Sequence, residues 1–282
     1  MKTFLDCIPC FFTQALRTAR TVTDDEKVIK RVLDELGTMI KDISLDSSPP
    51  ETGRVVYHLI SEITGERDPY QEVKKNHIDK ALSLYDSLKE LVKKSNDNLL
   101  TAVKFAIVGN IIDLGAVREF DIEGEINGIS ESEFAISDYV KFKKCLEDAD
   151  DILYLGDNAG ESVFDKILIE EMKKPTKYVV RDAPIINDVT YEDAVRSGID
   201  EVAAIISSGS DAPGVVLDLC SDDFKKTFRD AKFIISKGQG NYEALSEEKY
   251  PIFFLLRAKC PVIARDLGVT VGDIVLKGVN IQ

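Results

Sequence analysis

The sequence predicts an α/β protein in which a helical region precedes a mostly parallel sheet. Three observations carry that prediction. Up to about residue 115 the apolar positions recur at three- and four-residue spacings, the period of amphipathic helices. From about residue 150, the short apolar runs ILYL (152–155), YVV (178–180), VAAII (202–206), FIIS (233–236) and IFFLL (252–256) alternate with helix-like stretches. Such alternation implies βαβ crossovers and a sheet covered on both faces. The third observation is polar: GDNAGE, IINDVT, SSGSDAPG and SKGQGN each follow an apolar run. Polar clusters at strand ends build sites at the carboxyl edge of a parallel sheet.

Taken in order, residues 11–43 carry Ala15, Leu16, Val28, Ile29, Val32, Leu33, Leu36 and Ile40 among charges and read as amphipathic helix. SLDSSPPETG (44–53) is expected to be a turn, because a double proline cannot continue a helix. VVYHLISEITG (55–65) resumes helix and ends at Gly65, a candidate C-cap. DPY (68–70) is another stop, and 71–94 reads as a charged helix through Ile78, Leu82, Leu84, Leu88 and Leu91. LLTAVKFAIVGNIID (99–113) is more apolar and reads as a buried helix joining two units, a helical subdomain (1–115) and an α/β core (116–282). Residues 120–138 are expected to form a loop and an edge strand.

Composition narrows the function classes. The 282-residue chain is 44% hydrophobic and 30% charged, ordinary for a globular protein with a substantial core. A formal net charge of −14 argues against nucleic acid or an anionic membrane as partner. It leaves room for a phosphorylated substrate, since a metal ion and a lysine reverse the sign locally. The amino terminus lacks the uninterrupted apolar run of a signal peptide, no stretch approaches membrane-spanning length, and five cysteines do not describe a disulfide framework. The expected location is cytoplasmic.

Asp157-Asn158 has two readings. Both residue types cap helices, and Glu161 suits a first-turn dipole. Two adjacent oxygen donors at a strand end also suit a hard divalent cation, with open positions for water and phosphate. Asn187-Asp188 repeats the pattern; Thr190 and Asp193 resemble a capping box, and Asp188 is the candidate third metal ligand beside Asp157. Lys237 opens a glycine-bearing turn able to wrap an anion, with Asn241 as the cap of the following helix. Lys259 is either a second phosphate contact or a snorkelling surface lysine. Asn110 and Asp113 share one face of an apolar helix, as a buried polar patch or, the favoured reading, a wall of the site.

Other chemistries find less support. Cys7-x-x-Cys10 supplies half a tetrahedral zinc site and opens a helical region, so its packing, metal or thiol role stays open. His58 and His77 are the only histidines. There is no G-x-S-x-G, Walker A or G-x-G-x-x-G motif.

CIPC near the start, the double proline, GERDPY, GNIID, GDNAGE, RDAPIINDVT, SGSDAPG, KGQGN and RAKC, in this order, resemble the DUF89 family, and within it the prokaryotic branch that begins with CxxC. The resemblance spans nearly the whole chain. It implies a helical amino-terminal subdomain on a Rossmann-like α/β/α core. It also implies a metal-dependent damage-control phosphatase that hydrolyses phosphate monoesters of sugars or damaged metabolites. Catalytic Asp157, Asn158 and Asp188 would hold the divalent ion (manganese, cobalt, nickel or magnesium), with Glu161, Lys237, Asn241 and Lys259 lining the substrate phosphate site. Attack by water or by an Asp carboxylate both remain open. An adenosylmethionine-dependent methyltransferase and a non-catalytic metal- or metabolite-binding module with a redox-sensitive CxxC are the alternatives.

Overall fold

A computed structural model describes residues 1–109 and 133–281. The first hundred residues form helices α1 (Cys7–Val22), α2 (Glu26–Met39), α3 (Pro49–Thr64), α4 (Gln71–Lys94) and α5 (Asn98–Val108). The double proline does not lie in a turn, as the sequence suggested. Pro49 and Pro50 are the first two residues of α3, behind a Ser48–Glu51 capping box. Proline is tolerated there because the first helical N–H groups have no intrahelical acceptor. Gly65 closes α3 at φ 75°, as expected of a left-handed C-cap.

The remainder alternates strands and helices. The strands are β1 (Ile136–Ser137), β2 (Ile152–Leu155), β3 (Thr176–Val180), β4 (Ala204–Ser207), β5 (Ile234–Lys237), β6 (Ile252–Arg257) and β7 (Ile274–Val279). The helices are α6 (Tyr139–Asp148), α7 (Ser162–Met172), α8 (Tyr191–Arg196), α9 (Asp222–Asp230), α10 (Gly238–Leu245) and α11 (Pro261–Leu267). They build one sheet in the order β1-β7-β6-β5-β2-β3-β4, parallel except for the β6–β7 pair. The short β1 supplies the edge strand. β7 was not among the runs read from the sequence; Lys277 and Gly278 interrupt its apolar run, and its carboxyl half is only partly buried.

The chain runs outward through β2, β3 and β4, then returns to lay β5 against the other side of β2. The order therefore reverses between β2 and β5, which opens a crevice at their carboxyl ends. Alternate residues of each strand enter opposite apolar layers. Tyr154, Tyr178, Ile235 and Phe253 face α4, α5 and α7, whereas Leu155, Val179, Ile234 and Phe254 face α9, α10 and α11. A third cluster joins α1, α2 and α3 with Ile185 of the loop after β3. So α4 and α5 pack into the sheet's own core, and α1–α3 form a separate layer. Asn110, Asp113 and the 115/116 boundary lie outside the described residues. Among the described residues no helix is long and apolar enough to cross a membrane.

Phe253 is fully buried, with ring centroids 5.2 Å from Phe142 and 5.4 Å from Phe233. Phe253→Ala should cost about 3–5 kcal/mol in urea unfolding. Val140→Ala, at an exposed position on α6, should stay within about 0.5 kcal/mol of the parent.

Candidate active site

The polar clusters converge at the reversal point of the sheet. Two backbone hydrogen bonds set the register: Val189 N–H donates to Asp157 O (2.8 Å) and Ala159 N–H donates to Asn187 O (2.9 Å). They form an isolated antiparallel bridge between Asn158 and Asp188, so the two acid–amide pairs lie alongside one another. The Asp157 and Asp188 side chains are buried, at 6% and 4% exposure. Asn158 Nδ2 donates to Asp157 Oδ2 (3.0 Å) and Glu161 Oε1 (2.6 Å). That arrangement uses the amide's donors on carboxylates, and among the described residues no donor bonds its Oδ1.

Burial, then the neighbouring Glu161 and Asp188 charges, push the Asp157 carboxyl up to about 8, against the opposing pull of Lys259 and Arg181. Asp188 is raised as well, chiefly by burial, with Arg181 opposing. The site is thus short of positive charge. Two carboxylates and an amide oxygen are donors a hard dication accepts, and its charge would relieve this repulsion. Among the described residues no three Asp, Glu, His or Cys side chains form a metal cluster by themselves, so the Asn158 oxygen is needed to complete the set.

Lys237 ends β5 and is fully buried. Its Nζ donates to Asp165 Oδ1 (2.7 Å) and Glu161 Oε2 (3.1 Å). Burial lowers its affinity for the proton, but the two carboxylates outweigh it and hold the ammonium charged. Lys237 therefore sits beneath the crevice, already paired. Asp165 also accepts the Tyr154 and Tyr178 hydroxyls (2.7 and 2.8 Å).

Asn241 is not a helix cap. Lys237 occupies the N-cap position of α10, and Asn241 lies inside the helix. Its Nδ2 donates to Gly156 O and Lys237 O, and its Oδ1 accepts from Val215 N–H and Arg181 Nη2. All of its side-chain capacity is spent tying β2, β5 and the loop before Val215 together.

The glycines also act differently from the anion-wrapping role read from sequence. At Gly238 (φ 76°) a Cβ would overlap the Asp157 carboxylate, and at Gly160 it would press on His77 of α4. They permit close approach of protein to protein. Lys259 is exposed, and its charge opposes the upward shift of both Asp157 and Asp188. The Thr190–Asp193 capping box is present.

Two residues escaped the sequence reading. Arg181, 1% exposed, donates from Nε to Asp188 Oδ2 (2.8 Å) and holds Asn241 through Nη2 (3.2 Å). Its signal was a charge directly after the apolar run YVV. Asp165 is the acceptor for Lys237; its signal was an acid inside the apolar helix SVFDKILIEEM, four residues after Glu161. A cavity of about 380 Å³ lined by Asp151, Lys177, Asp223 and Lys226 opens at the opposite, amino-terminal edge of β2 and β3, away from these groups.

The damage-control phosphatase ARMT1-like domain matches residues 3–275. The chain belongs to this family. It is 34% identical to a damage-control phosphatase of Pyrococcus horikoshii, covering 98% of this chain and 97% of that protein. It is 36% identical to a damage-control phosphatase of Archaeoglobus fulgidus, covering 97% and 98%. An uncharacterised protein of Methanocaldococcus jannaschii is 38% identical over 96% of this chain and 93% of its own length. The crystal structure of a DUF89 family protein from P. horikoshii superposes with a TM-score of 0.92 over 99% of each chain at 33% identity. The ARMT1-like fold is thus a mixed, mostly parallel α/β fold, as the sequence implied, and membership sets the methyltransferase alternative aside.

The raised Asp157 carboxyl costs the metal-free protein stability at neutral pH. Below about pH 4 the folded and unfolded forms are both protonated. As pH climbs toward 8 the unfolded form ionises while the folded form keeps its proton, so the metal-free protein loses stability. In chelator, Asp157→Asn should therefore melt above the parent at pH 7–8, with the difference shrinking toward pH 4. Gly238→Ala should cost more than about 1 kcal/mol in unfolding and weaken divalent-ion binding in calorimetry, because the added methyl displaces Asp157.

Proposed function

We propose that the chain is a divalent-metal-dependent phosphomonoester hydrolase acting on a small phosphorylated metabolite. Its phosphatase class is that of its family. The observation that carries the metal requirement is the buried, under-compensated pair Asp157 and Asp188 at the sheet's reversal point. In this reading Asp157, Asn158 and Asp188 hold the ion, drawn from manganese, cobalt, nickel or magnesium. Once bound, the ion supplies Lewis-acid polarisation of the phosphoryl group.

The chain's own residues do the rest. Arg181 holds Asp188 in a fixed orientation, and Glu161 with Asp157 fixes the Asn158 amide. Lys259, exposed at the rim, approaches the phosphoryl oxygens from the solvent side. Lys237 and Asn241 are assigned to shaping the floor of the site, Lys237 through its pairs with Glu161 and Asp165. The proposed setting is the cytoplasm, with neither nucleic acid nor membrane as partner, as the net charge of −14 suggests.

Phosphate release from an aryl phosphate should vanish in chelator and return on adding one of the four cations. Asp157→Ala and Asp188→Ala should each lower kcat/KM by at least about a hundredfold, with a retained cooperative melt and lost divalent-ion heat in calorimetry. Ion-independent turnover, or full activity in either variant, would remove the residue or the ion from the chemistry.

A further inference from the structure

Cys7 and Cys10 have no part in the chemistry assigned above. Cys7 is the first residue of α1 and Cys10 lies three residues on, so both stand in the first turn of one helix. Residues three apart on a helix are neighbours on one face, within reach of a disulfide after a small adjustment of the turn. Pro9 between them costs that turn nothing, because the N–H groups of a first turn have no intrahelical acceptor. Both cysteines are free, Cys10 exposed and Cys7 half-buried. Among the described residues neither joins a group of three metal-ligating side chains. Two thiols in one turn suit disulfide exchange.

Hydrogen bonds tie the exposed thiol to a wall beside the acidic pair. Gln14, one turn beyond Cys10, donates from Nε2 to Cys10 Sγ (3.1 Å), and its Oε1 accepts the Tyr57 hydroxyl (3.0 Å). Tyr57 lines a cavity of about 350 Å³ together with Ile185 and Ile186, which lead directly into Asn187-Asp188. The three residues share one apolar cluster. Ile186 adopts φ 46°, a left-handed conformation that a β-branched residue keeps only where its surroundings impose it. The packing of Tyr57 is part of what imposes it.

The other thiol sits on the seam between two layers. Cys7 packs both on the α1–α3 cluster and on the one that holds α10 and α11. Cys260 packs on the second cluster, where Gln239 donates from Nε2 to its Sγ (3.5 Å) and accepts the Lys259 N–H at Oε1 (3.1 Å). Burial above all raises the Cys7 thiol, so it keeps its proton while Cys10 faces solvent.

We infer that Cys7 and Cys10 form a redox-responsive dithiol whose oxidation slows the phosphatase, the reduced chain being the active form. The inference rests on the phosphatase reading above. The oxidant is a low-molecular-weight disulfide. Cys10, having lost its proton to solvent, attacks one sulfur of that disulfide; the S–S bond breaks and one thiolate leaves. Cys7 then attacks Cys10 Sγ, the second thiolate leaves with the Cys7 proton, and the Cys7–Cys10 bond replaces the mixed disulfide. The protein loses two electrons and the oxidant becomes two thiols. To close the bond, Cys10 Sγ turns away from Gln14 and Cys7 Sγ leaves the seam. Tyr57 then loses its anchored partner, and the loop that carries Asp188 loses part of its support.

The full chain is incubated with dithiothreitol or with glutathione disulfide, desalted, mapped by peptide mass and assayed on an aryl phosphate with each of the four cations. The oxidised chain should carry a Cys7–Cys10 disulfide and show kcat/KM at least about fivefold below the reduced chain, with recovery on re-reduction. Cys10→Ser keeps an acceptor for Gln14, so it should match the reduced parent and lose the response to oxidant. Cys260→Ser should keep the response. A map that leaves both thiols free or joins Cys7 to Cys260, equal turnover of the oxidised and reduced parent, or an undiminished response in folded Cys10→Ser would overturn the inference and leave the phosphatase reading standing. No phosphate release from the reduced chain with any of the four cations would overturn that reading itself, and the inference with it.

Discussion

Asp157 and Asp188 come together because the backbone gives their strand ends no separation: Val189 N–H and Ala159 N–H cross to Asp157 O and Asn187 O, and side chains on that bridge share one small, dry volume. Burying one carboxylate is costly, and burying two with Glu161 beside them is more so. The groups packed around the pair answer that cost. Arg181 brings a fixed positive charge to one oxygen of Asp188, and Asn158 turns its amide hydrogens toward Asp157 and Glu161. Lys237 offsets Glu161 from below, itself held by Asp165 and two tyrosines. None of these neutralises Asp157, so the protein keeps a deficit of positive charge at the point where the sheet order reverses. A site preorganised in this way gains from a cation without having to rearrange for it.

How much of this could be read from the sequence depended on whether a residue's partner was near it in the chain. Asp157-Asn158 was legible as a polar pair just past an apolar strand, Asp188 because Asn187-Asp188 repeats that acid–amide pair, and the Thr190–Asp193 cap because its partners lie three residues apart. Lys237 was legible as a charge but not as a buried one. Its burial depends on Asp165, seventy-two residues away, and on β5 lying beside β2, which follows from no local pattern. Arg181 was passed over because a lone arginine after a strand looks like an exposed end; only its own bonds to Asp188 and Asn241 make it interior. Asn241 was misread as a cap because α10 begins at Gly238 itself, four residues before a cap at Asn241 would start it. The double proline of α3 was read as a stop, although the same chemistry makes a good start.

The helical half of the chain divides by what it packs on. α4 and α5 contribute Ile78, Leu88, Phe105 and Ala106 to the sheet's own core, and Gly160 lets α4 approach the Asp157 turn. α1, α2 and α3 keep a core of their own and meet the sheet layer through its loops, through α3 packing on α10, and through Cys7. Arg54 and His58 hold Asp211, and Ile185 and Ile186 are packed among α1–α3. We therefore favour a functional boundary after α3 rather than at residue 115.

That division has a physical consequence for how such a protein tolerates change. A substitution in α4 or α5 disturbs the layer beneath Tyr154 and Tyr178, and through their hydroxyls the Asp165–Lys237 pair; stability and chemistry move together. A substitution on the inner face of α3 alters the walls next to Asp188 while leaving the strand ends and their bridge intact. Close packing transmits strain within a layer more readily than across a contact made of one helix pair, loops and ion pairs. The same sheet can thus hold one arrangement of acidic groups while the helical layer beside it is reshaped.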